Sequence, residues 1–376
     1  MTALIPRSHY ATLTDCVYLN QASLGLLGQS SVDAMHRFVD DVARHGNLNM
    51  SDAEEVRYFD RLRARAARLF DADADRIAIV SSASELLGQI PFLVPFAADR
   101  KILAVTTDFP AVTRPWLRLA VSGGCRMQFV KDDPASDLTD DLIASIDEET
   151  ALVAISCVQY ATGTRVDVPR LQSAAKAVGA RLVVDATQAA GALPMDTAAW
   201  DADVVVSSGY KWLGGHGGVA LAVLAPSLIE CMPPLPGWMG APDPFDFDAT
   251  RILLAEDARR FTQSTMSYVS IAALTASLDR LLDLGESQIE AHARMLSEML
   301  IERASKRGWR PFRDLSDRAA SPHIVSLMRS DQKLEATQHA LREANIICSS
   351  RGGRVRVSLA PYNDEGDIDA LVAALE

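Results

Sequence analysis

Residues 180–218 contain two short runs of branched apolar residues, and each run ends in polar side chains. The first run, 181–184, leads into Asp185 and Gln188, and the second run covers 203–206. Such continuous apolar runs are typical of parallel strands that are buried on both faces. The second run is followed by Ser208, Tyr210 and Lys211. Because ligands of open α/β sheets bind beyond the carboxyl ends of the strands, we expect these side chains to converge on one crevice.

A lysine that lies beside a carboxylate and hydroxyl groups has a specific chemical use. An amine at a partly desolvated site has a lowered pKa and can form a Schiff base with an aldehyde. A carboxylate on the neighbouring strand can keep a pyridine nitrogen protonated, which makes the ring an electron sink. Hydroxyl groups next to the lysine can bind a phosphate. These are the needs of pyridoxal 5'-phosphate (PLP). The alternative is that Asp185 only caps a turn and Lys211 is an ordinary surface lysine, but the combined pattern favours PLP.

Around these residues the chain resembles the class V aminotransferase and cysteine desulfurase-like superfamily of fold-type I PLP-dependent enzymes. Its members include cysteine desulfurases, kynureninases, isopenicillin N epimerase-like proteins and C–S lyases. The resemblance implies an α/β fold, with a large domain on a mostly parallel sheet and a small C-terminal α/β domain. It also implies that PLP forms a Schiff base with Lys211, that Asp185 contacts the pyridine nitrogen, and that Gln188 lies near the ring hydroxyl. Ser208 and Tyr210 are implied as further cofactor contacts.

Length and composition fit one large α/β domain with a smaller companion. The chain has 376 residues, of which 48% are apolar and 23% charged, as in ordinary globular proteins. We expect an N-terminal segment (1–30) that packs near the active site, a large PLP-binding domain (31–262), and long helices with the small domain (263–376). The net charge of -12 argues against nucleic-acid binding and against an anionic membrane surface.

The cellular setting is predicted from the apolar runs and the cysteines. No apolar run approaches the length of a membrane span, and the first residues lack the apolar core of a signal peptide. The 5 cysteines contain no C-x-x-C motif, which fits reduced thiols. We therefore expect a cytoplasmic enzyme that has no membrane partner and no metal site.

The turn after a predicted strand at 76–80 is a candidate anion site. Hydroxyl residues within 81–84 precede a predicted helix, and the free N–H groups at the start of a helix bind anions. The simpler interpretation is an ordinary helix cap, with Glu85 favoured by the helix dipole. The resemblance implies instead that Ala83 and Ser84 bind the cofactor phosphate.

Aromatic residues follow the next two predicted strands. Phe109 follows the strand at 101–106, and the resemblance implies that its ring stacks on the pyridine; the alternative is a plain core residue. Cysteine desulfurases have a histidine here that also transfers protons, so Phe109 weighs against that activity. Tyr160 follows the strand at 151–158. It can bond to the cofactor or assist acid–base chemistry, or its role can be structural.

Two further segments are implied to act across a dimer interface. Residues 236–240 resemble the Gly-Trp turn of kynureninases, in which the tryptophan, here Trp238, approaches the cofactor phosphate. Residues 260–265 resemble an Arg-Phe-x-x-Gly-Thr turn of the superfamily, with Ser264 in place of the glycine. The resemblance implies that Thr265 binds the cofactor phosphate of a partner subunit, and therefore that the protein is a homodimer.

The substrate side of the site is assigned from both ends of the chain. Residues 356–363 resemble an Arg-x-Ser…Tyr-Asn segment of the superfamily, in which the arginine, here Arg356, holds the substrate α-carboxylate in bidentate geometry. Arg351 is a second expected contact; the alternative is that both arginines lie on a solvated face. Asn20 belongs to the opening segment 17–25, which is either a loop over the substrate side of the cofactor or a plain strand-to-loop transition.

The reaction is less constrained than the cofactor. The shared first step is removal of the α-proton of an amino acid by Lys211, after which β-elimination, transamination and epimerisation diverge. Residues 345–356 are short, contain only Cys348, and lack the longer cysteine-bearing loop of cysteine desulfurases. Residues 81–87 lack the Thr-x-Asn-Leu-His run of kynureninases.

By exclusion, the leading hypothesis is a C–S lyase-type β-elimination on cysteine or an S-conjugate of cysteine. The main alternative is a class V aminotransferase. A kynureninase-like hydrolase, an epimerase, a cysteine desulfurase and a PLP-fold binding protein without activity are further alternatives.

Overall fold

A computed structural model describes residues 1–94, 96–330 and 334–375. In these residues the strands are β1 (Val17–Tyr18), β2 (Ile77–Val80), β3 (Lys101–Val105), β4 (Arg126–Val130), β5 (Thr150–Ser156), β6 (Arg181–Asp185), β7 (Val204–Ser208), β8 (Ala220–Leu224), β9 (Arg310–Pro311), β10 (Ile324–Met328), β11 (Ile346–Ile347), β12 (Ser349–Arg351) and β13 (Arg354–Ser358). The α-helices are α1 (Gln29–His45), α2 (Asp52–Phe70), α3 (Ala83–Leu93), α4 (Pro110–Val121), α5 (Leu138–Ala144), α6 (Val168–Ala177), α7 (Thr197–Trp200), α8 (Pro226–Ile229), α9 (Tyr268–Leu284), α10 (Glu286–Ser305), α11 (Leu334–Glu343) and α12 (Glu365–Ala374).

The central sheet of the described chain has the strand order β2-β8-β7-β6-β5-β3-β4. All neighbours from β7 to β4 are parallel, whereas β8 is antiparallel to both of its neighbours. The sheet is therefore mostly parallel, as the sequence predicts. The strand order reverses between β3 and β5, because the chain leaves β3 for the edge strand β4 and then returns. In open α/β sheets such a reversal opens a crevice beyond the carboxyl ends of the strands.

Burial on both faces of the sheet explains the valine-rich runs. Leu182 and Val184 of β6 contribute to the apolar cluster on one face, together with Val205 of β7. Val183 and Val206 contribute to the cluster on the opposite face. Successive side chains of a strand point to opposite faces, so a strand that has no solvated face needs apolar residues at every position.

The edge strand β4 is an element that the sequence analysis did not predict. Most of its side chains are exposed or half-buried, and it pairs with β3 alone. A strand without a continuous apolar run gives little periodic signal in the sequence, and β4 is defined by its pairing with β3.

A second, antiparallel sheet with the order β12-β13-β10-β9 lies in the C-terminal region. It packs with α10, α11 and α12 around a separate apolar cluster. The N-terminal segment joins this region, because β1 pairs in parallel with β11 and the N–H of Leu4 donates to the carbonyl of Pro361 at 2.8 Å. The domain limits given above stay a prediction.

The long helix α9 packs against α1 and α2 of the large domain and leads directly into α10. Its amino end follows the 260–265 turn. Among the helices that the structure describes, none is both long enough and apolar enough to cross a membrane.

Candidate active site

Lys211 lies in the turn that follows β7 and is only 7% exposed. Burial lowers the pKa of its ammonium group to about 8; Asp185 opposes this effect, and repulsion from Arg356 and Arg351 adds to it. The Nζ atom lies 5.3 Å from the ring centroid of Phe109. A lowered pKa leaves a larger share of neutral amine near neutral pH, which both Schiff-base formation and proton removal require.

The N-terminal segment holds the turn that carries Lys211. The Nε2 of Gln21 donates to the carbonyl of Lys211 at 2.9 Å, and the N–H of Gly25 donates to the carbonyl of Tyr210 at 2.9 Å. A Cβ at Gly25 would lie 2.1 Å from the Lys211 carbonyl oxygen, so only glycine fits this close approach. Tyr210 itself is half-buried, with its ring centroid 5.7 Å from the lysine Nζ.

Asp185 is the last residue of β6 and is buried beside the lysine turn. Burial raises the pKa of its carboxyl group, while hydrogen bonds from Thr187 and the charge of Lys211 oppose the rise. The N–H of Thr187 donates to Asp185 Oδ1 at 2.8 Å. The N–H of Ser208 donates in turn to Thr187 Oγ1 at 3.0 Å. Thr187 therefore links the carboxylate to the end of β7, a role that the sequence analysis missed.

Both ends of the Gln188 side-chain amide are already engaged inside the protein. Its Nε2 donates to the carbonyl of Ala22 at 3.0 Å, and its Oε1 accepts from Trp212 Nε1 at 2.8 Å. The imidazole of His323 donates from Nε2 to the Gln188 carbonyl at 2.6 Å. Burial lowers the pKa of His323 to about 4, so this ring is neutral. The second Nε2 hydrogen and the second lone pair of Oε1 are left for the predicted contact with the ring hydroxyl, which stays a prediction.

The phosphate residues that the sequence predicts within one subunit, Ala83, Ser84 and Ser208, lie at the same end of the sheet. Ala83 and Ser84 form the first turn of α3, directly after the cap at Ser82, whose hydroxyl accepts from the Glu85 N–H at 3.0 Å. The first N–H groups of a helix have no acceptor within the helix. Ser208, the last residue of β7, lies at the same end of the sheet. Ala220 of β8 pairs with Ser208 on one side and with Val80, the last residue of β2, on the other. This edge therefore combines a helix start with a hydroxyl group, as an anion site requires.

Phe109 lies beside Lys211 and contacts Tyr160, and each of the two aromatic residues follows the strand that the sequence analysis named. Their rings are 5.5 Å apart in an edge-to-face arrangement. Phe109 is 39% exposed, which excludes the alternative that it is a plain core residue. Its N–H donates to Asp108 Oδ1 at 2.7 Å, and Ser156 donates to the same carboxylate. Burial raises the pKa of Asp108 to about 6 against these hydrogen bonds.

Arg356 lies on β13 and is 1% exposed. Its Nη1 donates to the carbonyl of Tyr160 at 2.7 Å, and its Nη2 donates to Ser23 Oγ at 2.5 Å and to Asn20 Oδ1 at 3.4 Å. Burial lowers the pKa of the guanidinium to about 10, and the charge of Arg351 adds to this effect. The Nε of Arg356 is buried and has no hydrogen-bond partner in the described chain. The structure thus brings together the three residues predicted for the substrate side.

Trp238 and Thr265 belong to a different surface. The indole Nε1 of Trp238 donates to Ser264 Oγ at 3.3 Å, and its ring packs on Phe245 and Phe247. Thr265 is exposed and hydrogen-bonds to the side chain of Glu55. These contacts join the 236–247 loop to Ser264 and join Thr265 to α2, and none of those given for the described residues includes Lys211. The roles predicted for these residues across a dimer interface stay predictions.

The residues around Lys211 fit PLP. A carboxylate as buried as Asp185 is stabilised in its charged form by an adjacent cation, and a protonated pyridine nitrogen is one. Lys211 offers an amine with a lowered pKa, and Phe109 offers an exposed ring face. The start of α3 and Ser208 lie at one edge of the sheet, where a phosphate binds to free N–H and O–H donors. Fold and residue set define a fold-type I PLP-dependent enzyme.

A comparison with known families gives the same result. Residues 17–371 match the family described as Aminotransferase class-V, and the chain belongs to this family. The superfamily, the α/β fold, the PLP cofactor and the enzyme class expected from the sequence are confirmed.

Similar proteins carry several different activities in their names. An uncharacterized aminotransferase of Bacillus subtilis is 25% identical over 96% of this chain and 94% of its own. The cysteine desulfurase CsdA of Escherichia coli is 26% identical over 98% of this chain and 96% of its own. A solved complex of the cystine C–S lyase C-DES with cysteine persulfide superposes with a TM-score of 0.88 at 21% identity, covering 97% of this chain and 98% of the other. At that identity the likeness shows a shared fold.

Proposed function

We propose that this protein catalyses PLP-dependent β-elimination on cysteine or an S-conjugate of cysteine, as a C–S lyase. The observation that carries the proposal is the position of Cys348, the cysteine nearest to Arg356 in the sequence: it is the single residue between β11 and β12, which pair with β1 and β13, and therefore does not lie on a long loop. Burial raises the pKa of its thiol to about 12, although the charge of Arg356 opposes the rise. A neutral thiol is a poor nucleophile, so Cys348 is unsuited to take a sulfur atom from the substrate. The sulfur product then leaves the site in solution.

Each residue of the site has a task in this reaction. Arg356 orients the substrate through its α-carboxylate, and Asp185 holds the pyridine nitrogen in its protonated form. PLP, when bound, withdraws electrons from the α-carbon. Lys211 accepts the α-proton, for which its lowered pKa suits it near neutral pH. Phe109 covers the site without adding a second proton carrier.

The proposed reaction balances as follows. The α-C–H bond breaks and its proton passes to Lys211, while the C–S bond breaks and its electron pair leaves on sulfur. The sulfur product takes up a proton and is released as a thiol from an S-conjugate, or as hydrogen sulfide from cysteine. The unsaturated amine that remains tautomerises and takes up one water molecule, which gives pyruvate and ammonium. No oxidant or reductant is consumed.

A class V aminotransferase is the second candidate, and the aminotransferase name of the Bacillus subtilis relative favours it. The same lysine would then return its proton at a different atom, and the product would be a keto acid that keeps the substrate side chain. The two reactions differ in whether a free thiol is released.

We further propose that the protein is a homodimer in which Thr265 reaches the cofactor phosphate of the partner subunit, with Trp238 near the interface. Exposed apolar side chains around Trp238 support this, since Phe247 is 71% exposed and Ile252 is 62% exposed. An apolar group of this kind on a surface is typical of a protein–protein contact. Size measurement in solution, for wild type and for Phe247→Ser, tests the proposal.

The central experiment combines spectroscopy with product analysis. The purified protein is expected to carry a visible absorbance band that borohydride removes, with the reduced cofactor attached to a peptide containing Lys211. S-substituted cysteines are expected to give equal amounts of pyruvate and thiol. Lys211→Ala is expected to lose the band and turnover, whereas Lys131→Ala, at an exposed lysine, serves as the control. A keto acid without a thiol would replace the lyase by an aminotransferase, and no band after PLP addition would contradict both.

A further inference from the structure

Two guanidinium groups meet at one small hydroxyl group on the substrate side of the site. Arg356 Nη2 donates to Ser23 Oγ at 2.5 Å, and Arg351 Nη2 reaches the same oxygen at 3.5 Å. Arg351 lies on β12, the strand that pairs with β13 and carries its guanidinium toward Ser23. Side chains of like charge repel each other, so this arrangement costs free energy unless an anion lies between or beside them.

The hydrogen-bond partners that the described residues offer to both arginines are neutral. The further hydrogen-bond partners that the described residues offer them are the side chains of Asn20 and Ser349 and the carbonyls of Tyr160 and Ser350. Cys348 does not supply a charge, because burial raises the pKa of its thiol to about 12. Asp185 acts on Lys211 and is assigned above to the pyridine nitrogen.

The site therefore has more positive charge than an ordinary amino acid can balance. The α-carboxylate of a substrate neutralises one guanidinium, and Arg356 is the better partner because it is 1% exposed and still has an unpartnered Nε. Arg351 is only half-buried and lies farther out, next to the turn between β12 and β13. Its position suits a group at the far end of a substrate side chain.

We propose that Arg351 binds a second anionic group of the substrate, so that the preferred substrates are cysteine S-conjugates whose side chain ends in a carboxylate. This inference rests on the proposed function, and it names the substrate class and the residue that selects it. Arg356 holds the α-carboxylate and Arg351 holds the distal one. The two carboxylates then supply the negative charges that the described residues do not supply at this place.

A pair of conjugates that differ only in charge tests the proposal. S-carboxymethylcysteine ends in a carboxylate, and S-carbamoylmethylcysteine ends in the neutral amide of nearly the same shape. For the wild-type holoenzyme we expect kcat/KM for thiol release to be about 10- to 100-fold higher with the carboxylate, the range of a charge-assisted hydrogen bond. Arg351→Gln is expected to bring this ratio close to unity, and Arg351→Lys to give an intermediate ratio, since lysine keeps the charge but not the fork.

Arg354→Gln is the matched control. It removes one positive charge from the same hairpin, but Arg354 donates to Ser326 Oγ and lies on the ring of Phe312. The ratio of kcat/KM between the carboxylate and amide conjugates is expected to be the same for this variant as for the wild type. This control separates a specific contact from the general effect of a nearby charge. The cofactor band of each variant verifies that it has folded and binds PLP.

Two results would overturn the proposal. One is a wild-type enzyme that does not prefer the carboxylate conjugate. The other is an Arg351→Gln variant in which kcat/KM falls by the same factor with both conjugates. That result would show that both arginines bind the α-carboxylate. Absorbance titration gives the affinity for each conjugate independently of turnover. A protein that binds the carboxylate conjugate more tightly and yet releases no thiol would contradict the lyase reaction and leave the charge preference intact.

Discussion

The indole Nε1 of Trp212 donates a hydrogen bond to Gln188 Oε1 at 2.8 Å, and both residues are buried. Trp212 directly follows Lys211, and Gln188 lies in the turn that follows Asp185. The bond therefore joins the segment that carries the amine to the segment that carries the carboxylate. These two groups must keep a fixed separation if one cofactor is to bind both at once.

We expect Trp212→Phe to weaken cofactor binding and to destabilise the protein. The substitution leaves Gln188 Oε1 buried without a donor, at a cost of about 1–3 kcal/mol. Trp309→Phe is the control, since the indole of Trp309 donates to the Leu375 carbonyl in the small C-terminal cluster. Urea unfolding is expected to show similar losses for both variants, whereas the dissociation constant of PLP should rise only for Trp212→Phe. Equal PLP affinities would contradict the link.

The pH dependence of cofactor capture follows from the charges around Lys211. Burial is the main cause of its low pKa, about 8, and the positive charges of Arg356 and Arg351 contribute in the same direction. Schiff-base formation requires the neutral amine, so the rate at which the apoenzyme takes up PLP is expected to rise with pH around this value. Removing a neighbouring positive charge makes protonation easier and raises the pKa. The midpoint for Arg351→Gln is therefore expected at higher pH than for wild type.

The same measurement has an internal control. Arg354→Gln removes a charge that is not among the causes of the Lys211 shift, so its midpoint should match the wild type. A midpoint at lower pH for Arg351→Gln than for the wild type would show that this arginine does not act on the lysine through its charge.

Thr187 is expected to position Asp185 and to keep it ionised. Its hydrogen bonds lower the pKa of the carboxyl group against the effect of burial, so Thr187→Val should raise that pKa. Because the ionised form is the active one, the acid limb of kcat/KM is expected to move to higher pH. Thr197→Val, in α7, removes a buried hydroxyl that donates to the carbonyl of Phe70 at the end of α2, and it serves as the control. Identical pH profiles for the two variants would exclude the positioning role.

Much of the site could be predicted from the sequence, because its parts stand at the ends of strands. The apolar runs before Asp185 and Lys211 indicate buried parallel strands, and the carboxyl ends of such strands meet at one edge of the sheet. Phe109 and Tyr160 follow the same rule after β3 and β5. Arg356 was predicted from the resemblance to the superfamily. The pattern of strands alone does not indicate that this residue lies beside Asn20.

The remaining contacts have no local pattern to reveal them. The bond from His323 to the Gln188 carbonyl spans 135 positions of sequence, and the bond from Gln21 to the Lys211 carbonyl spans 190. Each depends on how the N-terminal segment and the small C-terminal region pack onto the large sheet. The close approach of Gly25 to the Lys211 carbonyl is one example. The residues next to Gly25 in the sequence do not distinguish it from an ordinary turn glycine.

Breaking the buried ion pair between Asp132 and Arg313 is expected to destabilise the protein strongly. The Arg313 Nη2 lies 3.1 Å from Asp132 Oδ1, and the two side chains are 2% and 0% exposed. Thr162 and Thr164, on the turn that follows Tyr160, donate to the same carboxylate. Arg313→Met would leave Asp132 buried without its cation, which costs about 3–5 kcal/mol.

Arg318→Met is the comparison that decides whether burial is the cause. Arg318 also pairs with two carboxylates, Asp137 and Asp140, but its side chain is 61% exposed. Exposed ion pairs contribute about 0–1 kcal/mol each, so this variant should unfold at nearly the wild-type urea concentration. Arg313→Met is also expected to raise KM for the amino acid, because the Tyr160 carbonyl that accepts from Arg356 lies on the same turn. Equal losses of unfolding free energy in the two variants would show that burial does not increase the contribution of the Asp132–Arg313 pair to stability.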